Sequence, residues 1–357
     1  MPAIHLNDQP RLPERTRPIC IIGAGSIVRD AHLPAYAIAG FKVHGITNRS
    51  RDKAEELARE YGIGQVYDTV QEMVADAPED AVFDLTLPAN YFAETLRLLP
   101  DNAAVLIQKP MGESLREAEE ILQVCRAKNL TAAVNFQLRF APFITMARDA
   151  IDQGLIGELV DFEVRVNVET PWHLWSFLEK ANAAEIYYHS IHYVDMIRSF
   201  LGNPNSVQCR SMGSHSAPKI DCTRSAYILD YGPDVRVNIH TNHGHRFGKK
   251  HQDSYVKWEG TKGAIKAQMG LLMDYPEGEP DWFEICVLEE GGEPRWQSLP
   301  VNGSWFPHAF IGAMGSLMYK LENADADLPH SVEDVYHSMR AVDAAERSSL
   351  AGGIPVN

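Results

Sequence analysis

The chain has 357 residues, too many for one average domain of ~100–200 residues and enough for two. Hydrophobic residues make up 45% and charged residues 23%, which excludes a disordered chain. Acidic residues outnumber basic ones by 48 to 33, and this net charge of -15 argues against nucleic acid and anionic lipid as main partners. No apolar run approaches the ~18 residues of a membrane span. Residues 1–17 hold Pro2, Pro10 and Pro13 and no apolar core, so no secretion signal is read there. Residues 1–16 are expected as a flexible tail. Cys20, Cys125, Cys209, Cys222 and Cys286 are scattered without a Cys-x-x-Cys pair, a usage that fits reduced thiols and a cytoplasmic location.

The first third alternates short apolar runs with helical patterns. Residues 18–22 read as a buried strand, a glycine turn follows, and 27–39 read as a helix. A second strand is predicted at 41–46, and Ser50 as the N-cap of a helix over 51–61. Further strands are predicted near 65–67, 81–87, 104–107 and 130–136, with helices over 69–77, 89–99 and 114–129. Ser114 and Glu117 have capping-box spacing. This alternation predicts right-handed βαβ crossovers and a doubly wound parallel sheet over 17–135.

Near residue 135 the pattern changes. A helix over 142–153 leads into an alternating segment at 158–169, a tryptophan-rich loop and a helix over 185–201. Strand-like runs follow at 206–213, 223–231, 235–241, 254–268, 283–289 and 296–301, with no crossover helices between them. A second α/β domain over 136–357 is therefore expected, with a large open, mostly antiparallel sheet covered on one face. Two helices, over 308–323 and 331–351, close the chain, and the last is a candidate to pack back on the first domain.

Gly23-Ala24-Gly25-Ser26-Ile27-Val28 follows the first strand and opens a helix. Gly23 permits a tight turn, Gly25 lets backbone approach a pyrophosphate, and the helix N-terminus offers N–H donors and a positive dipole end. An ordinary strand–turn–helix corner has the same outline, and Val28 stands where the fingerprint has its third glycine. The βαβ pattern that follows favours a dinucleotide-binding Rossmann domain. At the end of the second strand, Thr47-Asn48-Arg49-Ser50 offers no carboxylate for a ribose 2′-hydroxyl. Arg49 is either a partner for a 2′-phosphate or a solvated loop charge. NAD or NADP is the expected cofactor, with a lean to NADP.

At Gln108-Lys109-Pro110 the chain resembles the Gfo/Idh/MocA family of sugar and polyol oxidoreductases, whose motif there is Glu-Lys-Pro. The resemblance covers nearly the whole chain. It includes the glycine turn, Thr86-Leu87-Pro88, the junction Asn135-Phe136-Gln137-Leu138-Arg139-Phe140, and Gly154-Leu155-Ile156-Gly157. It continues through His192-Tyr193-Val194-Asp195, Gly260-Thr261-Lys262-Gly263 and Ser331-Val332-Glu333-Asp334. The resemblance implies a Rossmann domain followed by an α/β domain, and a homodimer or homotetramer formed through the exposed sheet face. It also implies cofactor contacts from Gly23, Gly25, Ser26, Ile27, Asn48 and Arg49. Thr86, Leu87, Pro88 and Tyr91 would add to these, with Gln108, Lys109 and Gln137.

Hydride transfer from a carbinol needs a nicotinamide against the carbon, a group for the hydroxyl proton, and positive charge near the developing alkoxide. Lys109 lies at the C-terminal end of a parallel strand, where doubly wound sheets place ligands. The resemblance gives it a catalytic or substrate-positioning role. His192 matches the family's catalytic histidine, and its imidazole suits proton transfer at neutral pH. Asp195 either orients it or makes a packing ion pair. Two departures stand out: Tyr188 where many members have aspartate, and Gln108 for glutamate. Tyr188 and His189 are candidates to reshape the substrate pocket, with Tyr188 as a further catalytic candidate. Trp172 and Trp175 form either a substrate lid, since aromatic faces stack on sugar rings, or a plug that anchors the loop. Glu185, His189 and His192, at i, i+4 and i+7, share a helix face and form either a divalent-metal site or an ordinary polar pocket; no metal is expected. His240 and His243 lie on and after a strand and should point to opposite faces if that strand continues.

The sequence thus reads as an NAD(P)-dependent oxidoreductase acting on a sugar, polyol or related carbohydrate derivative, with no nucleic-acid or membrane partner. The alternative is a non-catalytic NAD(P)- or sugar-sensing regulatory protein on the same fold. Tyr188 and Gln108 motivate that alternative, and retention of Lys109 and His192 opposes it.

Overall fold

The computed structural model describes residues 4–289 and 291–356. They divide into two compact units: 9–140 with 306–339, and 141–305 with 340–356 and the segment 4–8.

In the first unit six strands form one parallel sheet: β1 (Ile19–Ile22), β2 (Val43–Thr47), β3 (Gln65–Tyr67), β4 (Val82–Leu85), β5 (Ala104–Ile107) and β6 (Thr131–Val134). Their order is β3-β2-β1-β4-β5-β6, the doubly wound arrangement expected from the alternation. Parallel strands covered on both faces read as near-continuous apolar runs, and every residue of β1, β4 and β5 is buried, with Asp84 of β4 as the one charged residue among them. The helices are α1 (Leu33–Ala39), entered through a π turn at Val28–His32, then α2 (Arg51–Tyr61), α3 (Val70–Asp76), α4 (Phe92–Leu98) and α5 (Leu115–Ala127). Thr69 Oγ1 caps α3 by accepting from the Glu72 N–H at 3.1 Å, and Ser114 Oγ caps α5 by accepting from the Glu117 N–H at 3.2 Å. Ser50, expected to cap α2, makes no side-chain cap bond; its carbonyl accepts from Asn48 Nδ2 at 2.9 Å instead.

The second unit holds α6 (Pro142–Asp152), β7 (Leu159–Asn167), α7 (Ile191–Leu201), and the strands β8 (Ser206–Met212), β9 (Arg224–Asp230), β10 (Arg236–Asn242), β11 (Asp253–Gly260), β12 (Gly263–Gln268), β13 (Phe283–Val287) and β14 (Trp296–Leu299). Eight strands pair in the order β14-β13-β12-β11-β7-β10-β9-β8. The single run expected at 254–268 is a hairpin. A Cβ at Gly260 would strike the Ile156 carbonyl, and one at Gly263 the Cys286 carbonyl, so only glycine fits at each end of its turn. Most pairs are antiparallel, as expected, but β7 and β10 run parallel, which the long return through α7, β8 and β9 permits. The inner face buries Phe162, Val164, Trp258 and Ile265, and Phe162 and Trp258 meet Phe200 of α7.

Residues 306–339 return to the first unit with α8 (His308–Glu322) and the start of α9 (Val332–Ala351). Phe310, Met314 and Leu317 of α8 join the core formed by β1, α1 and α2. The N-terminal segment is held, not loose. Glu14 and Arg15 donate their N–H groups to the Glu322 carboxylate at 2.8 and 3.1 Å, and Asn7 donates to Asp149 at 2.8 Å. Carboxylates supply the acceptors that a tail without ladder bonds would otherwise take from water. No helix among the described residues is long and apolar enough to cross a membrane.

Candidate active site

The glycine turn after β1 is built by close approach. Gly23 has φ 121°, and a Cβ there would collide with Thr86 Oγ1, which donates to the Ile22 carbonyl at 3.0 Å. The Gly23 N–H donates to the Thr47 carbonyl at 2.8 Å, and the Ala24 N–H to Asn48 Oδ1 at 3.2 Å. Asn48, expected as a cofactor contact, therefore braces the turn. An added Cβ at Gly25 would meet nothing within 4 Å, so the space over the exposed Gly25 and Ser26 is open. A helix start has N–H groups without intrahelical acceptors. Open space, glycine and helix start together fit a pyrophosphate. Arg49 is exposed at the end of β2, and no carboxylate pairs with it among the described residues. Pro88 and Tyr91 are exposed beyond β4, Leu87 is half-buried, and Gln137 is buried.

Lys109 directly follows β5 and Gln108, and its bond to Pro110 is cis. Its side chain is half-buried, and desolvation lowers the ammonium to about 8, within reach of proton exchange near neutral pH. The neighbouring amide of Gln108 is turned inward. Its Oε1 accepts from the Lys109 N–H at 2.7 Å, and its Nε2 lies 3.3 Å from His32 Nε2. Neither His32 nor its bonded partner Asp84 drew notice in the sequence, although an aspartate inside a fully buried strand is a signal.

In the second unit the expected regular helix over 185–201 begins with a π turn at Ile186–Ser190. The wider turn brings Ser190, five positions on, to Glu185 Oε1 at 2.5 Å. Thr241 of β10 donates to the same oxygen at 2.9 Å, and His243 Nε2 approaches it at 3.8 Å. Burial raises the Glu185 carboxyl above its usual range and lowers the His243 imidazole to about 3. Glu185 thus partners Thr241 of the sheet and His243 after it. Among the described residues no cluster of three or more His, Cys, Asp or Glu has the placement to hold a metal ion. His240 is exposed within β10 and His243 is buried, but β10 ends at Asn242, so His243 lies in the turn after the strand and alternation does not govern it.

His192, at the start of α7, is 6% exposed and meets Trp305 edge-on at 5.7 Å. Asp195 is fully buried. Half-buried His189 packs against His243 at 4.4 Å and Trp172 at 5.0 Å, while Tyr188 packs against Phe177 at 5.6 Å. Trp172 and Trp175 lie against a small core of Leu178, Ala184, Ala217 and Ile220, which is the anchoring role for the loop. Trp172 also lines a cavity of about 590 Å³ with Thr170, Ser216, Gln252 and Tyr275.

Two family profiles match the chain: an oxidoreductase family with an NAD-binding Rossmann fold over 18–136, and the C-terminal domain of the same family over 144–266. The chain belongs to the Gfo/Idh/MocA family of oxidoreductases. Among its relatives, a 1,5-anhydro-D-fructose reductase of Ensifer adhaerens is 30% identical over 200 residues, covering 55% of this chain and 60% of that protein. A D-glucoside 3-dehydrogenase of Escherichia coli is 25% identical, covering 58% of this chain and 59% of that one. The matches to these two named enzymes therefore span well under two thirds of their lengths. An uncharacterized protein of Saccharomyces cerevisiae is 25% identical and aligns over 93% of this chain and 96% of its own. A levoglucosan dehydrogenase in complex with NADH and levoglucosan has the same fold, with TM-score 0.78 at 17% identity, covering 94% of this chain and 98% of that one. An Agrobacterium radiobacter oxidoreductase has TM-score 0.75 at 17% identity, over 94% of this chain and 97% of that one.

Proposed function

We propose that this Gfo/Idh/MocA oxidoreductase transfers a hydride between a nicotinamide dinucleotide and a carbinol carbon of a sugar, polyol or related carbohydrate derivative. The observation that carries the reading is Lys109: a lysine at the C-terminal end of a parallel strand, desolvated to about 8. When bound, the cofactor supplies the hydride acceptor or donor. The chain's own part is the proton. In oxidation the hydroxyl gives its proton to the Lys109 amine or to the His192 imidazole as the carbonyl forms, and in reduction the same groups return it. The ammonium form of Lys109 favours the intermediate alkoxide charge. Names of the partial relatives support a carbohydrate substrate.

Exposed Arg49 and the missing carboxylate after β2 support NADP over NAD. The outer sheet face supports self-association. Ile228 is exposed on it, and Lys266 lies 4.0 Å over the Tyr255 ring. The testing experiment is turnover on a carbohydrate panel with NADP and with NAD, for wild type and Lys109→Ala. Loss of turnover in the variant supports the reading, and wild-type rates in it refute the role of Lys109.

A further inference from the structure

The first unit contains a buried polar cluster that the proposed chemistry does not use. His32 and Asp84 have no exposed surface, and Tyr36, Asn135 and Gln108 are buried beside them. His32 Nδ1 lies 2.8 Å from Asp84 Oδ2, and the Tyr36 hydroxyl donates to the same oxygen at 2.7 Å. Burial and the Asp84 charge hold the Tyr36 phenol well above its ordinary range, so it remains a donor. On the far side of the imidazole, Nε2 faces Gln108 Nε2 and Asn135 Nδ2, each at 3.3 Å. Phe310 packs against the ring at 4.9 Å.

These partners determine the proton positions. The Lys109 backbone N–H can only donate, so the Gln108 oxygen must face it and the amide NH₂ must face His32. The Asp84 carboxylate accepts, so His32 carries its hydrogen on Nδ1. Its Nε2 then has the lone pair that both amide groups need. The result is a neutral imidazole used as an acceptor.

We propose that Gln108 is a positioning residue for Lys109, held in place by the Tyr36–Asp84–His32 chain, and that glutamine at 108 is matched to a neutral His32. The proposal rests on the reading of Lys109 as a group at the reaction centre. The substitution Gln108→Glu would set an oxygen against the Nε2 lone pair while the other carboxylate oxygen kept the Lys109 N–H. That arrangement holds only if a proton is taken up between the new carboxylate and His32.

The test is nitrogen NMR on histidine-labelled holoprotein with bound NADPH, with His32 assigned through its own β protons. Wild type should show His32 neutral and protonated at Nδ1, and Gln108→Glu should show it protonated at both nitrogens. In that variant kcat should fall about tenfold while KM for the nicotinamide stays within about twofold, the split expected of a displaced catalytic group. Gln108→Met, whose thioether is only a weak acceptor, should leave the His32 tautomer in place and speed exchange of the Lys109 amide hydrogen; it serves if Gln108→Glu does not fold. A wild-type ring protonated at Nε2 would overturn the proposal, as would unchanged Lys109 exchange in Gln108→Met. If wild type turns over no carbohydrate, the functional reading fails, while the tautomer and the exchange rate still judge the network.

Discussion

Each unit buries a histidine beside a carboxylate, and the two pairs are built differently. His32 meets Asp84 directly at 2.8 Å, and Tyr36 adds a second donor to the same oxygen. His243 stands 3.8 Å from Glu185, whose near oxygen is taken by the hydroxyls of Ser190 and Thr241. In the second pair burial pushes both groups toward their uncharged forms, Glu185 upward and His243 down to about 3. The contrast shows two ways to keep titratable groups in a core. One fixes a proton by a direct bond and hands the order on to Gln108 and Lys109. The other gives one carboxyl oxygen two hydroxyl donors, while burial shifts both partners toward their uncharged forms.

The largest effect should come at the end of the first chain. Lys109→Ala should lower kcat by ~10²–10⁴, the usual contribution of a positioned acid–base group, and His192→Ala should fall in the same range. Steady-state turnover with far-ultraviolet circular dichroism as a folding control checks both. At the second pair, Glu185→Ala should cost about 3 kcal/mol, because it leaves a void and removes the buried acceptor of the Ser190 and Thr241 hydroxyls. Glu185→Gln keeps the shape without a charge and should cost under ~1 kcal/mol. Urea unfolding of both variants measures the difference, and equal costs would contradict a carboxyl that burial shifts toward its uncharged form.

The pH dependence sharpens the contrast. His243 is lowered in the folded state, so below an unfolded value near ~6.5 the unfolded chain binds the proton and the folded one does not. Its contribution is fully present above that value and is lost as pH falls toward about 3. Glu185 acts in the opposite sense: raised in the folded state, it favours folding as pH falls through its own window. From pH 7 to pH 5 the His243 effect is ~2 kcal/mol. His243→Gln should therefore lose less stability than wild type over that interval, by about that amount. Unfolding at both pH values tests it. The smallest effect is expected at Arg49. Arg49→Ala should weaken NADPH about tenfold, one lost charge-assisted contact, and leave NADH unchanged in fluorescence titrations.

Much of the first unit was legible because its signals are local. Apolar runs gave the parallel strands, Gly23 and Gly25 the turn, and Gln108-Lys109-Pro110 the strand end. His32 and Tyr36 were hidden in a helix that reads as apolar, and only Asp84 in the middle of a buried strand hinted at them. The second unit depended on contacts far apart in sequence. A π turn cannot be told from a regular helix by periodicity, so Ser190 was missed as the partner of Glu185. His243 reaches Glu185 only through the pairing of β10 with β7 and β9, and the parallel β7–β10 pair leaves no trace in either strand's own alternation. Ser50 carries a capping residue type, yet the bond from Asn48 to its carbonyl draws that corner toward the glycine turn instead.

The most direct test of the central claim follows the hydride itself. The protein would be incubated with NADPH deuterated at its transferring carbon and a panel of carbohydrates bearing a ketone or aldehyde, with products read by mass spectrometry. The account predicts a product with one deuterium on the new carbinol carbon, formed by wild type and lost in Lys109→Ala. Deuterium retained on a tightly bound nicotinamide across the whole panel would contradict it.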